Sequence, residues 1–83
     1  MDTPLKREDE ERLTKVFRRI FKNDELALRN DLTAKDVPGW DSFNHINLVI
    51  EIEEEFNQRF STEEISGLKN VGDMKTLLAS KIY

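Results

Sequence analysis

Apolar residues recur at helical spacing early in this chain. They fall at positions i, i+3, i+4, i+7 and i+8, which is the spacing of one helix face: Leu13, Val16, Phe17, Ile20 and Phe21. This predicts an amphipathic helix over roughly residues 5 to 22, with Thr3-Pro4 at its start and Asn23-Asp24 at its end. Because no later segment alternates as a strand, the fold class is all-α.

A long connection follows the first helix. Residues 23–41 show no clear period, and a structureless loop of this length is unusual in a small domain unless it is functional or packed down. Its apolar residues predict a packed loop: Leu26, Leu28, Leu32, Val37 and Trp40. A helical turn between Asp31 and Asp36 fits this segment. The ring of Trp40 is expected to anchor the loop to the bundle, with its N–H paired or wet.

Three further helices complete the expected architecture. The second long helix runs from about Ser42 to Asn57. A capping-box pair, Ser61 with Glu64, opens a short helix through about Leu68, which Gly67 can end. A last helix covers about residues 73 to 82, with its apolar residues at Val71, Leu77, Leu78 and Ile82. The prediction is a small bundle of three longer helices and one short helix.

Size and composition exclude several function classes. A chain of 83 residues suggests one domain, residues 1–83, which buries about 60% of its unfolded surface and has little room for an enclosed active site. The net charge of −4 argues against nucleic acid and anionic membranes. No cysteine is present, so thiol chemistry would need a cofactor. Without an apolar signal region or spanning stretch, a soluble, cytoplasmic, monomeric protein is the expectation.

Ser42 lies where loop chemistry gives way to the second helix. Val37-Pro38-Gly39 is a turn signal, and Asp41-Ser42 is a helix-start signal. The hydroxyl is therefore expected to be exposed at the positive end of a helix dipole, which suits an attached or bound phosphate. Since no catalytic machinery is evident elsewhere, the serine is interpreted as an attachment point.

The second helix carries two apolar faces. A core stripe contains Leu48, Val49, Ile52 and Phe56. At ~100° per residue, a second strip points elsewhere and begins beside Ser42; it contains Phe43, Ile46 and Ile50, bordered by Asn47, Glu53, Glu54 and Asn57. One interpretation buries this strip as part of a wide core face. The other leaves it exposed for a partner or an apolar ligand.

The chain resembles the acyl carrier proteins. The resemblance lies in Asp41-Ser42-Phe43, in the apolar helix that follows, in the run Glu53-Glu54-Glu55-Phe56, and in the loop phrase from Leu32 to Ser42. The order of elements fits nearly end to end. Asn44 and Asn47 stand where members serving fatty acid synthesis are usually acidic, and Phe43 stands where Leu is commoner. These departures weaken an assignment to general fatty acid synthesis.

The resemblance implies a carrier function and no catalytic residue. Ser42, flanked by Asp41, would receive 4'-phosphopantetheine from coenzyme A through a magnesium-dependent phosphopantetheinyl transferase. The arm would hold acyl or aminoacyl groups as thioesters for loading and processing enzymes of lipid, polyketide or related biosynthesis. Partner enzymes would dock on the strip and its polar border: Phe43, Ile46, Asn47, Ile50, Glu53 and Glu54.

Alternatives for individual features remain open. The second hypothesis is an unmodified helical interaction module that docks through the same strip, Phe43, Ile46 and Ile50. Asp41, Ser42 and His45 could suggest a hydrolytic triad, but no nucleophile elbow or oxyanion site is evident. His45 is instead expected to pack beneath the loop or cap the helix start.

Charged clusters elsewhere have structural interpretations. The basic face of the first helix is expected to be solvated and internally paired, with Glu8–Arg12 and Glu11–Lys15 in the favourable i, i+4 order. The runs Asn23-Asp24-Glu25 and Asn30-Asp31 lack calcium-loop spacing and are interpreted as turns and caps, so no metal site is expected.

Overall fold

The computed structural model describes residues 4–83 and is all-helical over that range. Three longer helices, α1 (Arg7–Phe21), α2 (Ser42–Phe56) and α4 (Val71–Ile82), surround one core, and α3 (Thr62–Ser66) is short. A 3-10 turn, Ala34–Asp36, interrupts the connection between α1 and α2. The predicted fold class and element order are confirmed.

The start of α1 differs from the prediction. The helix begins at Arg7, and its N-cap, Lys6, is extended and has no side-chain cap. Instead the Tyr83 hydroxyl accepts the Lys6 N–H at 2.7 Å, while Leu5 is buried in the core. The helix therefore begins two residues later than predicted. Pro4 lies before it, and Thr3 lies outside the described residues.

Two long helices end in left-handed residues that are not glycine. Lys22 (φ 53°) ends α1, and Asn57 (φ 55°) ends α2. Asparagine adopts this conformation readily, whereas lysine is an uncommon choice. The predicted end of α1 at Asn23-Asp24 is therefore one residue late. The Asn23 amide donates to the Arg18 carbonyl and closes the cap.

The α1–α2 connection is packed down, as predicted. Its buried side chains are Leu26, Leu28, Leu32 and Val37. The Val71 amide donates to the Leu32 carbonyl at 2.9 Å, and the Gly72 amide donates to the Asn30 carbonyl at 2.8 Å. A Cβ on Gly72 would stand 2.9 Å from that carbonyl oxygen, so glycine permits this close approach. The loop is thus fixed to the start of α4.

The last helix begins two residues earlier than predicted. Asn70 is its N-cap, and the Asn70 side chain accepts the Asp73 amide at 2.8 Å. Its buried face also differs from the predicted one, because Met74 and Lys75 are buried while Leu77 is half-buried. The α3 helix is shorter than predicted and ends at Ser66, with Gly67 as its C-cap.

Lys75 is the buried charged residue of the described core. Its ammonium group donates to the Glu10 carboxylate and, at 2.8 Å, to the Leu28 carbonyl. One side chain therefore joins α4, α1 and the long connection. Burial of a lysine is tolerated because both contacts are hydrogen-bonded acceptors and one of them is an anion.

Candidate functional site

Ser42 is exposed and is the first residue of α2. Asp41 is the N-cap, and its carboxylate accepts the Asn44 amide at 2.9 Å. The Asp41 carbonyl accepts the His45 amide at 2.8 Å. The amides of Ser42 and Phe43 precede these bonds and have no carbonyl partner within the helix. Two free donors and the positive end of the helix dipole thus lie beside the Ser42 hydroxyl.

The loop before Ser42 is held in one turn. Gly39 adopts φ 89°, a conformation in which side chains are strained. Its carbonyl accepts the Asn44 side-chain amide at 2.6 Å. The Trp40 amide donates to the Val37 carbonyl at 3.1 Å. These bonds tie the turn to the first turn of α2 and so fix the approach to Ser42.

Trp40 anchors this turn to the bundle, as predicted. Its ring lies 5.6 Å from Phe17, edge to face, and 5.4 Å from Phe21. Its Nε1–H donates to Nδ1 of His45 at 3.1 Å, and the two rings are stacked. His45 therefore packs against the loop, which is one of the two placements expected for it.

A surface depression adjoins the serine, a feature that no sequence signal reveals. It is open, has a volume of about 440 Å³, and is lined by Ala34, Trp40, Asp41, Ser42, His45 and Ile46. Trp40 and His45 also line an interior cavity of about 70 Å³ that reaches Phe17, Leu48 and Met74. The Trp40–His45 pair thus stands between the depression and the core.

The geometry does not assemble a hydrolytic triad. Nδ1 of His45 accepts from Trp40, so it is not oriented by Asp41. The Asp41 carboxylate is engaged at the helix start. Among the described residues, no hydrogen bond joins the side chains of Ser42 and His45. The arrangement therefore presents a hydroxyl without a base to activate it.

The second apolar strip of α2 is exposed, which contradicts the wide-core interpretation. The exposed fractions are 72% for Phe43, 58% for Ile46 and 45% for Ile50. The core stripe is buried as predicted: Leu48, Val49, Ile52 and Phe56. Asn47 and Glu53 are half-buried, and Glu54 is exposed. Ser42 and this strip therefore belong to one continuous stretch of accessible helix surface.

The basic face of α1 is internally paired, but not through the pairs that spacing predicts. Arg12 donates to Glu55 at 2.8 Å and to Asp9 at 3.3 Å, and Arg19 donates to Glu51 at 2.6 Å. The hydrogen bond to Glu55 raises the pKa of the Arg12 guanidinium. The predicted Glu8–Arg12 pair is replaced because α2 supplies Glu55, and Glu11 pairs with Arg7, at 3.8 Å, in place of Lys15.

Neither a metal-binding cluster nor a membrane-spanning helix occurs in residues 4–83. No group of three or more His, Cys, Asp or Glu side chains within residues 4–83 is arranged to hold a metal ion. None of the helices in that range has the length and apolarity needed to cross a membrane.

The fold and the site define a class: small helical bundles with an exposed serine at the start of the second long helix. A solved structure shares this fold. The chain is similar to holo acyl carrier protein from Geobacter metallireducens, with 36% identity, a TM-score of 0.83, and coverage of 88% of this chain and 84% of that chain. No family model matches.

This degree of identity and coverage shows the family: the chain belongs to the acyl carrier proteins. The similar structure is that of a carrier rather than a catalyst. The resemblance seen in the sequence and the expected helical bundle are both confirmed.

Proposed function

We propose that this protein carries acyl or aminoacyl groups as thioesters on 4'-phosphopantetheine attached to Ser42. It presents them to enzymes of fatty acid, polyketide or related secondary-metabolite biosynthesis. The single observation that carries the proposal is an exposed serine at the first position of α2 in a chain of this family. We further propose that it acts as a cytoplasmic monomer.

The residues around Ser42 suit a phosphodiester. The amides of Ser42 and Phe43 are available as donors to its oxygens, and the helix dipole favours negative charge there. The nearby Asp41 carboxylate is engaged with the Asn44 amide, so its charge is partly offset. The open depression beside Ser42 leaves room for a bulky substituent. When attached, the arm supplies the thiol that a chain without cysteine lacks.

Attachment requires an enzyme because this chain has no base at Ser42. A phosphopantetheinyl transferase with magnesium would take the proton from Ser42 Oγ. An Oγ–P bond then forms at the phosphorus that bears the pantetheine, and the pyrophosphate bond of coenzyme A breaks. Adenosine 3',5'-bisphosphate leaves. The role of Ser42 is to be accessible, and that of Asp41 is to hold the helix start.

Partner enzymes are proposed to dock on α2 beside the arm. The docking surface consists of Phe43, Ile46, Asn47, Ile50, Glu53 and Glu54. Its apolar members are the large hydrophobic side chains left exposed on α2, and such a patch next to the attachment point suits a transient interface. The same surface would receive the transferase, the acyl-loading enzyme and the acyl-processing enzymes in turn.

Intact-mass measurement tests the attachment. The protein is incubated with coenzyme A, magnesium and a broad-specificity phosphopantetheinyl transferase. We expect the mass to rise by one phosphopantetheine group in the wild type and in Ser66→Ala, a matched exposed serine of α3. No rise is expected in Ser42→Ala. An unchanged wild-type mass, while a control carrier is loaded, would contradict the proposal.

The second candidate is an unmodified interaction module that docks through the same strip. The exposure of Phe43, Ile46 and Ile50 favours it. An unmodified module gains no mass in the loading experiment, so intact mass discriminates the two functions. It also predicts partner binding that Ser42→Ala leaves unaffected.

A further inference from the structure

The carboxylates of α2 are mostly engaged within the protein itself. Glu51 pairs with Arg19 and Glu55 pairs with Arg12, at 2.6 and 2.8 Å. Glu53 accepts the Phe60 amide at 2.8 Å and so fixes the chain after the helix. Of the four glutamates of α2, two are therefore neutralised by arginines, whereas Glu53 and Glu54 keep their charge toward a partner.

The direction of these carboxylates strengthens this point. With His45 at zero and ~100° per residue, the strip of Phe43, Ile46 and Ile50 centres near ~135°. On the same count Glu51 and Glu55 fall near ~240° and ~280°, on the side that faces α1. Their charges point away from the strip and are neutralised there by arginines.

The border of the strip holds one free carboxylate. Glu54 is exposed and has no ion pair or hydrogen bond with any described residue. It lies in the same surface depression as Arg59, which carries the opposite charge. The residues that line this depression are Ile50, Glu53, Glu54, Asn57, Gln58 and Arg59. Toward Ser42 the border is amide rather than acidic, because Asn47 occupies it. The strip is thus apolar, and its border carries two carboxylates, Glu53 and Glu54, against one cation, Arg59, a net charge of −1.

From this charge distribution we infer that the partner enzymes meet α2 through an apolar, nearly uncharged groove that takes Phe43, Ile46 and Ile50. An arginine- or lysine-rich surface would find little to pair with here. Electrostatic steering would accordingly contribute little to association. This inference rests on the proposed carrier function and names the chemistry of its partners.

Ionic strength separates the two kinds of docking. Raising salt from about 25 to about 300 mM shortens the Debye length from about 20 to about 6 Å. Attraction between opposite surface charges weakens over that range, whereas apolar burial does not. Docking on this strip should therefore be nearly independent of salt.

The test uses a broad-specificity phosphopantetheinyl transferase as the probe. Its KM for the unmodified protein is measured over that salt range at fixed magnesium and coenzyme A. A carrier with a strongly acidic second helix, assayed alongside, provides the reference for docking that depends on salt. We expect the KM for this protein to rise less than about threefold over the salt range, and to rise less than the KM for that control. A larger rise in the KM for this protein would overturn the inference.

The KM of the transferase for two variants shows which side chains contribute to docking. Ile46→Ala removes apolar area, and Glu54→Gln removes the free charge. We expect the KM rise from Ile46→Ala to exceed that from Glu54→Gln at least fivefold, with thermal melting showing that both variants are folded. An equal or larger effect of Glu54→Gln, or no effect of Ile46→Ala, would overturn the inference.

These outcomes are distinct from failure of the carrier function. A measurable KM with the wrong dependence on salt or side chain contradicts the neutral docking surface and leaves the carrier function standing. No loading of any form, while the control carrier is loaded, overturns the carrier function and the inference with it.

Discussion

The indole Nε1–H of Trp40 donates to Nδ1 of His45 across 3.1 Å, and these two residues stand on either side of Ser42 in the chain. The loop that approaches the serine and the helix that begins there are thereby joined directly. The same indole packs on Phe17 and Phe21 of α1. The position of the hydroxyl is therefore set by the bundle and not by the loop alone.

Substitutions of Trp40 separate its packing from its hydrogen bond. Trp40→Phe keeps a ring against α1 but leaves Nδ1 of His45 without its donor, so we expect a loss of about 1 kcal/mol in the free energy of unfolding. Trp40→Ala also removes the ring, and we expect a loss of about 3 kcal/mol. Urea titration measures both. Equal losses in the two variants would show that the hydrogen bond, and not the packing, dominates.

The two faces of α2 should respond differently to substitution. Ile50 is 45% exposed and Ile52 is fully buried. Ile50→Asp should change the free energy of unfolding by less than about 0.5 kcal/mol, since surface changes are usually small. Ile52→Ala should lower it by about 3 kcal/mol.

Ile50→Asp should weaken the turnover of partner enzymes even though it hardly changes the free energy of unfolding. Ile50→Asp is expected to raise the KM of partner enzymes because it places a charge where apolar contact is proposed. Thermal melting is the control for folding. A large fall in melting temperature for Ile50→Asp would instead mean that Ile50 belongs to the core.

The buried ammonium of Lys75 should be needed for stability. Lys75→Met keeps the length of the side chain but leaves the Leu28 carbonyl and the Glu10 carboxylate without their donor. We expect a loss of about 2 kcal/mol in the free energy of unfolding. The exposed Lys15 provides the control, since Lys15→Met should cost less than about 0.5 kcal/mol. Losses of similar size at both positions would contradict the structural role of Lys75.

The α3 capping box should make stability depend on pH. The Ser61 amide donates to the Glu64 carboxylate at 2.8 Å. This hydrogen bond is the main reason that the pKa of Glu64 lies below its ordinary 4.5, and the hydrogen bond from Lys81 lowers the pKa further. A lowered folded-state pKa means that the contribution is complete above 4.5 and is lost as pH falls through the folded-state value.

Glu64→Gln tests that sign. The variant should melt below the wild type at pH 6, and the gap should shrink as the pH falls below about 4. Melting curves by circular dichroism across this range supply the measurement. A gap that is constant with pH would mean that the charge of Glu64 contributes nothing to the cap.

Much of this structure can be predicted from the sequence because local signals and helical period agree. The stripe Leu13, Val16 and Phe17 and the start at Asp41-Ser42 both mark helices unambiguously. The angle of Phe43 around α2 places it away from the core stripe, and the structure decides between the two interpretations in favour of exposure. These features depend on residues within one or two turns of each other, which is why spacing alone reveals them.

The remaining features depend on residues far apart in the chain. Lys75 is buried because Glu10 and Leu28, on other elements, supply its acceptors. Pairing of Arg12 with Glu55 spans 43 positions, so i, i+4 spacing favours the wrong partner. The start of α4 is different, because Asn70 is a local cap signal: its side chain accepts the Asp73 amide, so the helix begins at Val71 and not at the predicted residue 73.

Fragmentation mass spectrometry of the transferase-treated protein tests the central claim most directly, because it assigns the added group to one residue. The account predicts that the whole mass increase lies on Ser42, and that Ser42→Ala carries none on any other residue. Modification at another serine, or an unmodified Ser42 in a folded wild-type protein under conditions that load a control carrier, would contradict it.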